Sequence, residues 1–149
     1  MSEPADVRRI SWSDDLFEPL LAECEAEGGA FLLRMRSEWE DGVTRFDRPN
    51  EALFGALLGG RLVGVGGLTR DPWEPSLGRL RHLYVIRVER GRGVGGALVS
   101  RIIEAAKSGF AVVRLRSRDA GSFYEGFGFD PSAGPHETHR LVIGRRVNA

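Results

Sequence analysis

The stretch RHLYVIRVERGRGVGGALVSRIIEAA, residues 81–106, sets four glycines into six positions between an apolar run and a helical pattern. Gly91, Gly93, Gly95 and Gly96 lack the Cβ that would keep backbone N–H groups away from a bulky anion. The helix that follows carries Val94, Leu98, Ile102 and Ala105 on one side. Its first turn offers unsatisfied N–H groups and the positive end of the helix dipole, a setting suited to a phosphate. A plain strand-to-helix turn needs fewer glycines, so a phosphate-binding loop is expected, with Arg90 and Arg92 adding charge-assisted hydrogen bonds.

Two cofactor signatures overlap on these letters. Gly91, Gly93 and Gly96 spell G-x-G-x-x-G, a dinucleotide fingerprint, whereas Arg90, Gly93 and Gly95 spell R-x-x-G-x-G, an acyl-coenzyme A signature. The dinucleotide pattern requires an acidic residue about 20 positions on, at the end of the next strand. That strand instead ends in Arg114, Arg116 and Arg118, and the 53 residues after Gly96 are too few for the rest of a doubly wound sheet.

The remaining chain reads as an α/β domain with a mixed sheet. A short strand falls at Val7–Ile10. Ser13 caps a pattern of Leu16, Phe17, Leu20, Leu21 and Cys24 that stops at Gly28-Gly29; Pro19 predicts that regular helix begins near Glu18. Phe31, Leu32, Met35 and Trp39 give a second helix, and ALFGALLGGRLVGVGGL folds as a hairpin around Gly59-Gly60. In LGRLRHLYV, strict alternation puts Leu80, His82 and Tyr84 on one face and Arg79, Arg81, Leu83 and Val85 on the other. AVVRLR and THRLVI are strands, and SFYEGF is a short helix between them.

Composition narrows the partners. Twenty-one basic and 21 acidic residues cancel, which argues against nucleic acid or an anionic membrane. Cys24 is the only cysteine, so an intramolecular disulfide is impossible. There is no basic-then-apolar leader, and no apolar run approaches the ~18 residues that span a membrane. A cytoplasmic protein of one domain, residues 1–149 with its core at 5–143, is expected. His136, Glu137 and His139 cluster near the C-terminus, but H-x-x-H without further ligands does not predict a metal site.

A second motif bears on the glycine loop. AGSFYEGFGF, residues 120–129, sets Tyr124 four residues before Gly128-Phe129. Together with LYVIRVERGRGVGGALV, and in this order, it resembles the GNAT acetyltransferase family over roughly residues 5 to 143. The resemblance implies a mostly antiparallel mixed sheet of six to seven strands, flanked by helices and splayed between the fourth and fifth. It also implies acetyl-coenzyme A as cosubstrate and a small-molecule or peptide amine as acceptor. Backbone of Leu83, Tyr84 and Val85 would contact the pantetheine arm, with the Val85 N–H polarising the thioester carbonyl. Arg90, Gly91, Arg92, Gly93, Val94, Gly95 and Gly96 would receive the pyrophosphate. Tyr124 would be the general acid that protonates the departing thiolate.

There are departures from the family pattern. Ser117 stands where an asparagine commonly touches the coenzyme arm, so one hydrogen bond replaces two. Arg87 stands where proline is common, which predicts a looser loop. The general base is not identified by sequence: His82, Glu74, Asp71 and an ordered water are the alternatives. For the acceptor, Glu38, Glu40 and Asp41 suit a cationic amine, while Trp39, Phe46 and Trp73 suit an apolar one. A non-catalytic acyl-coenzyme A sensor of the same fold is the alternative function. A homodimer through THRLVI or the sheet edges stays open.

Overall fold

The computed structural model describes residues 4–143. In chain order the elements are β1 (Asp6–Arg9), α1 (Asp14–Ala26), α2 (Phe31–Glu40), β2 (Ala52–Leu58), β3 (Arg61–Arg70) and β4 (Gly78–Val85). A 3₁₀ turn (Arg87–Glu89) leads to α3 (Val94–Ala106), β5 (Val112–Leu115), α4 (Gly121–Glu125), β6 (Asp130–Pro131) and β7 (His139–Val142). The strands form one sheet in the order β1-β2-β3-β4-β5-β7-β6, antiparallel except for the β4–β5 pair. The α/β mixed sheet expected from the sequence is therefore the observed fold. β7 lies between β5 and β6, so the outer strands are β1 and β6, and THRLVI is not an edge.

α1 starts four residues earlier than its proline suggests. Ser13 accepts the Leu16 N–H and caps the helix, which runs straight through Pro19. Proline leaves the carbonyl four residues back without its helical donor. Here that carbonyl belongs to exposed Asp15, on the solvent side of the helix, while Phe17, Leu20, Leu21 and Cys24 are buried on the opposite face. Burying each large aliphatic or aromatic side chain is worth ~1.5–3 kcal/mol, enough to offset one lost bond.

α3 lies directly on β3 because Gly64 and Gly66 have no side chains. A Cβ on either would come within 3.0–3.2 Å of Val94, Leu98 or Ile102. Gly67 faces the other way, toward Phe46 and the α1–α2 side. β4 then departs from strict alternation. Val65 pairs with Tyr84 but Gly67 with Arg81, so one residue of β3 faces two of β4. The bulge centres on His82, whose φ is +60°. Leu80 and Leu83 consequently share the α3 face, while Arg81 and Tyr84 share the other, a correction to the two-residue pattern. Among the described residues, no helix is long and apolar enough to cross a membrane.

Candidate active site

The parallel β4–β5 contact is limited to Gly78 with Val113 and Arg79 with Arg114. Beyond Arg79 the two strands diverge, and among the described residues β4 has no strand partner on that side. The Ile86 N–H donates to the Val63 carbonyl at 2.9 Å, which makes Val85 and Gly64 a non-hydrogen-bonded pair. The Val85 N–H therefore points away from β3 and into the gap. Tyr84, one residue earlier, directs its own N–H and carbonyl toward Val65. Of the three residues expected to line the gap with backbone, Tyr84 is thus committed to β3.

At the far end of β4 the chain turns into α3. Gly91 and Gly93 adopt left-handed φ values of 76° and 86°, and Gly93 is the residue that caps α3. The first helical bond runs from the Ala97 N–H to the Gly93 carbonyl at 3.0 Å. The N–H groups of Val94, Gly95 and Gly96 consequently have no intrahelical acceptor and form an anion-accepting end. Arg92 is exposed, with Nη1 3.7 Å from Glu89.

Arg90 does not follow the expectation for a phosphate ligand. Its Nε donates to the Val85 carbonyl at 2.8 Å, and its two terminal nitrogens donate to Glu27 Oε1 and Oε2 at 2.6 and 3.1 Å. Glu27 Oε1 also accepts from the Tyr84 hydroxyl at 2.6 Å. Hydrogen bonds from Arg90 and then Tyr84 hold the Glu27 carboxyl below its ordinary pKa. This ties the glycine loop to the end of α1 through side chains 63 residues apart in sequence. The Arg90 N–H closes the 3₁₀ turn on the Arg87 carbonyl at 3.1 Å.

A cleft of about 910 Å³ opens where β4 and β5 part, and it unites His82, Leu83, Ser117 and Tyr124. Tyr124 is 7% exposed, edge-on to Phe123 and Phe129 at 5.1 and 5.8 Å. Burial pushes its phenol up to about 12, so it is protonated at neutral pH. The Ser117 N–H donates to Thr138 Oγ1 at 2.9 Å, and its own Oγ accepts from the Ala120 N–H at 3.0 Å. The His82 ring lies parallel to Phe31 with centroids 6.1 Å apart, and its Nε2 is buried without a hydrogen-bond partner among the described residues. Burial, then the charges of Arg81 and Arg34, lower its pKa to about 3. The imidazole is therefore neutral and a weak base.

Asp71 is placed where it cannot exchange protons with a substrate. It is 1% exposed and accepts from Arg79 Nη1 at 2.9 Å and from Arg114 Nε and Nη2 at 3.0 and 2.6 Å. Burial alone would raise its pKa, but the bonds from Arg114 and Arg79 prevail and hold it low. Glu137 continues the cluster on Arg114 and Arg140, each at 2.9 Å, and takes a bond from Ser132. His136 stacks on Trp73 at 3.8 Å, and His139 Nε2 contacts Glu125 at 3.0 Å. Among the described residues, no group of three or more His, Cys, Asp or Glu is arranged around a metal position.

The residues expected at the acceptor separate in the structure. Glu38 lines the cleft, whereas Glu40 and Asp41 face solvent, Phe46 is buried beneath Gly67, and Trp39 and Trp73 lie outside the cleft, as does Glu74, a candidate base. Arg34, Arg81, Arg116 and Arg118 also line it, and nothing in local sequence pattern singles them out.

The model of the acetyltransferase (GNAT) family matches residues 9–129. The chain belongs to the GNAT acetyltransferase family. It is similar to the "putative acetyltransferase" of Exiguobacterium sp. 255-15, with 30% identity over 94% of each chain and a TM-score of 0.86. The GNAT family N-acetyltransferase YhbS of Escherichia coli, solved in complex with CoA, shares the fold at 18% identity, with 97% of this chain and 84% of that one covered and a TM-score of 0.71. A "putative streptothricin acetyltransferase" of Bacillus anthracis str. Ames, in complex with acetyl coenzyme A, aligns at 22% identity with 66% and 65% covered and a TM-score of 0.56. No curated protein matches the sequence. This GNAT protein is assigned to acyl-coenzyme A-dependent acetyl transfer by its family.

Proposed function

We propose that this protein moves an acetyl group from acetyl-coenzyme A to a primary amine by direct attack. The observation that carries the reading is the unpartnered edge of β4. It runs from the N–H-rich start of α3, past the inward Val85 N–H, to a cleft bearing the protonated Tyr124. These residues fit the cosubstrate: left-handed Gly91 and Gly93 leave open space where a Cβ would stand, so a phosphate can approach the backbone.

Acetyl-coenzyme A supplies the activated thioester. The backbone of residues 90–96 binds its pyrophosphate, with Arg90 acting as the clamp that shapes the loop rather than as a phosphate ligand. The Val85 N–H donates to the thioester carbonyl oxygen, a preorganised donor worth ~3–4 kcal/mol where charge develops. The Ser117 hydroxyl retains one donor for the coenzyme arm, because the bond from the Ala120 N–H uses it only as an acceptor. Tyr124 holds the proton that the departing sulfur requires. A covalent enzyme intermediate is not needed, and Cys24 is buried between α1 and α2 with its thiol pKa raised by that burial.

His82 is too weak a base to draw a proton from an ammonium at neutral pH. Glu38 orients the ammonium, and its proton leaves to water in the open cleft. The test is calorimetric titration with acetyl-coenzyme A against NAD, followed by thiol release across a panel of amines. Tyr124→Phe should cut turnover by about 10²–10⁴-fold while leaving cofactor affinity unchanged. Binding with no release from any amine would instead support an acyl-coenzyme A sensor, and failure to bind would overturn both readings.

A further inference from the structure

The ionisable lining of the cleft is lopsided in a chain whose total charge is zero. Arg34, Arg79, Arg81, Arg116 and Arg118 line it, against two carboxylates, Glu38 and Asp119. Arg79 is already paired with Asp71 at 2.9 Å and donates to the His136 carbonyl at 2.8 Å. Arg81 reaches Glu38 Oε1 only at 3.8 Å, and that oxygen is buried without a hydrogen-bond partner among the described residues. Arg34, Arg116 and Arg118 have no carboxylate within 4.0 Å among the described residues. The three therefore present uncompensated guanidinium groups to one cavity.

The phosphates of the cosubstrate do not account for them. The loop suited to phosphate, residues 90–96, is not part of this lining, which touches β4 only from Arg79 to Leu83. A volume of about 910 Å³ is that of a small-molecule site, and low-dielectric walls such as Phe31 and Leu83 focus the field of the charges around it.

We infer that the acceptor is a small amine that also carries an oxyanion, a carboxylate or a phosphate. Arg34, Arg116 and Arg118 face the anion and Glu38 faces the ammonium. Arginine is suited to the first task because its planar fork pairs with either oxyanion through two parallel bonds. The inference rests on the acetyl-transfer reading for what the cleft does, and on the charge distribution alone for what it selects.

The test compares short amines that carry a carboxylate, a phosphate or a neutral amide at a similar distance from the nitrogen. Thiol release is measured at saturating acetyl-coenzyme A with 4-aminobutanoate, 2-aminoethyl phosphate and the neutral 4-aminobutanamide, for the wild type and for R34Q/R118Q. Both arginines are exposed, so the variant should fold and bind acetyl-coenzyme A as the wild type does. One or both anionic amines should exceed the amide by about tenfold in kcat/KM, and which one does so names the oxyanion. The advantage should shrink in the double variant and in 0.5 M salt, mainly through KM. An amide that reacts as well as both anionic amines, or an advantage untouched by the substitutions, would overturn the inference while leaving acetyl transfer intact. If no amine releases thiol, 4-acetamidobutanoate and 4-acetamidobutanamide are titrated calorimetrically into the coenzyme A-saturated protein. Preference for the anion then supports the inference though transfer has failed, and no preference overturns it.

Discussion

Asp71→Asn is the sharpest test of what holds the cleft open. The residue follows β3, is 1% exposed, and receives five donors: Arg79 Nη1, Arg114 Nε and Nη2, and the N–H groups of Trp73 and Glu74. Asparagine keeps the size but removes the charge and turns one acceptor into a donor aimed at other donors. With the amide NH2 in place of Oδ2, the Arg114 Nη2 bond and the Trp73 and Glu74 N–H bonds are lost, and Arg79 and Arg114 Nε are left sharing a neutral oxygen beside the His136 and Pro135 carbonyls and Glu137. Removing one partner of a buried ion pair costs about 3–5 kcal/mol. The surviving Arg114–Glu137 bond places the loss near the lower end. At ~2–4 °C per kcal/mol for a chain of this size, Tm should fall by roughly 6–12 °C. Urea unfolding at neutral pH measures the same quantity as a lower midpoint at unchanged slope. Because Arg79 and Arg114 sit on the last β4–β5 pair, loosening them should also weaken acetyl-coenzyme A binding. A stability loss below ~1 kcal/mol would refute the reasoning, since it would mean that these guanidinium groups find water or other partners without cost.

Other consequences can be measured directly. Gly93→Val forces a β-branched residue to φ 86°, so it should cost about 1–3 kcal/mol of stability and abolish acetyl-coenzyme A binding in a protein that still folds; retained affinity would refute the cradle. Arg90→Gln breaks the clamp to Glu27 and Val85, and it should weaken acetyl-coenzyme A binding equally at low and high salt, because the side chain acts on loop shape; a loss confined to low salt would mark it as a direct phosphate ligand. Acid should unfold the protein through its depressed carboxyls. Bonds from Arg140 first, with Ser132 and Arg114, and against the opposing effect of burial, hold Glu137 at about 2. Its folded pKa lies below the unfolded value, so its stabilisation is complete above about pH 5 and fades as pH falls toward 2. Glu137→Gln should flatten that part of the pH–stability curve, and an unchanged curve would exclude Glu137 as a contributor.

What could be read from the sequence was encoded locally, and what could not depended on distant partners. Gly28 ends α1, Gly59-Gly60 turns the hairpin, and Gly93 starts α3, each because glycine takes a left-handed φ at no steric cost. The periodicities of α2 and α3 were equally plain, since one face of each packs on the sheet. The bulge at His82 is a property of the β3–β4 register and left no mark in the alternation of β4 alone. β6, two residues long and including Pro131, is too short to carry a period. Arg90 fits its motif as a letter, but Glu27, which decides where its guanidinium goes, lies on α1. Asp71 looked available as a base because a loop carboxylate usually faces water; its burial depends on Arg114, 43 residues later.

Net charge shows the same limit most clearly. Equal numbers of acidic and basic residues argued against nucleic acid or an anionic membrane, and that inference treats charge as evenly spread. Folding sorts it instead. Asp71 and Glu137 are spent inside the protein on Arg79, Arg114 and Arg140, and Glu27 is spent on Arg90. Arg34, Arg116 and Arg118 remain facing the cleft without such partners among the described residues. Coulomb attraction at close range is far stronger than the field of a screened whole, so the ligand senses the residue-level pattern of the cleft and not the sum over the chain. A neutral protein can thus present a cationic pocket to a small anion.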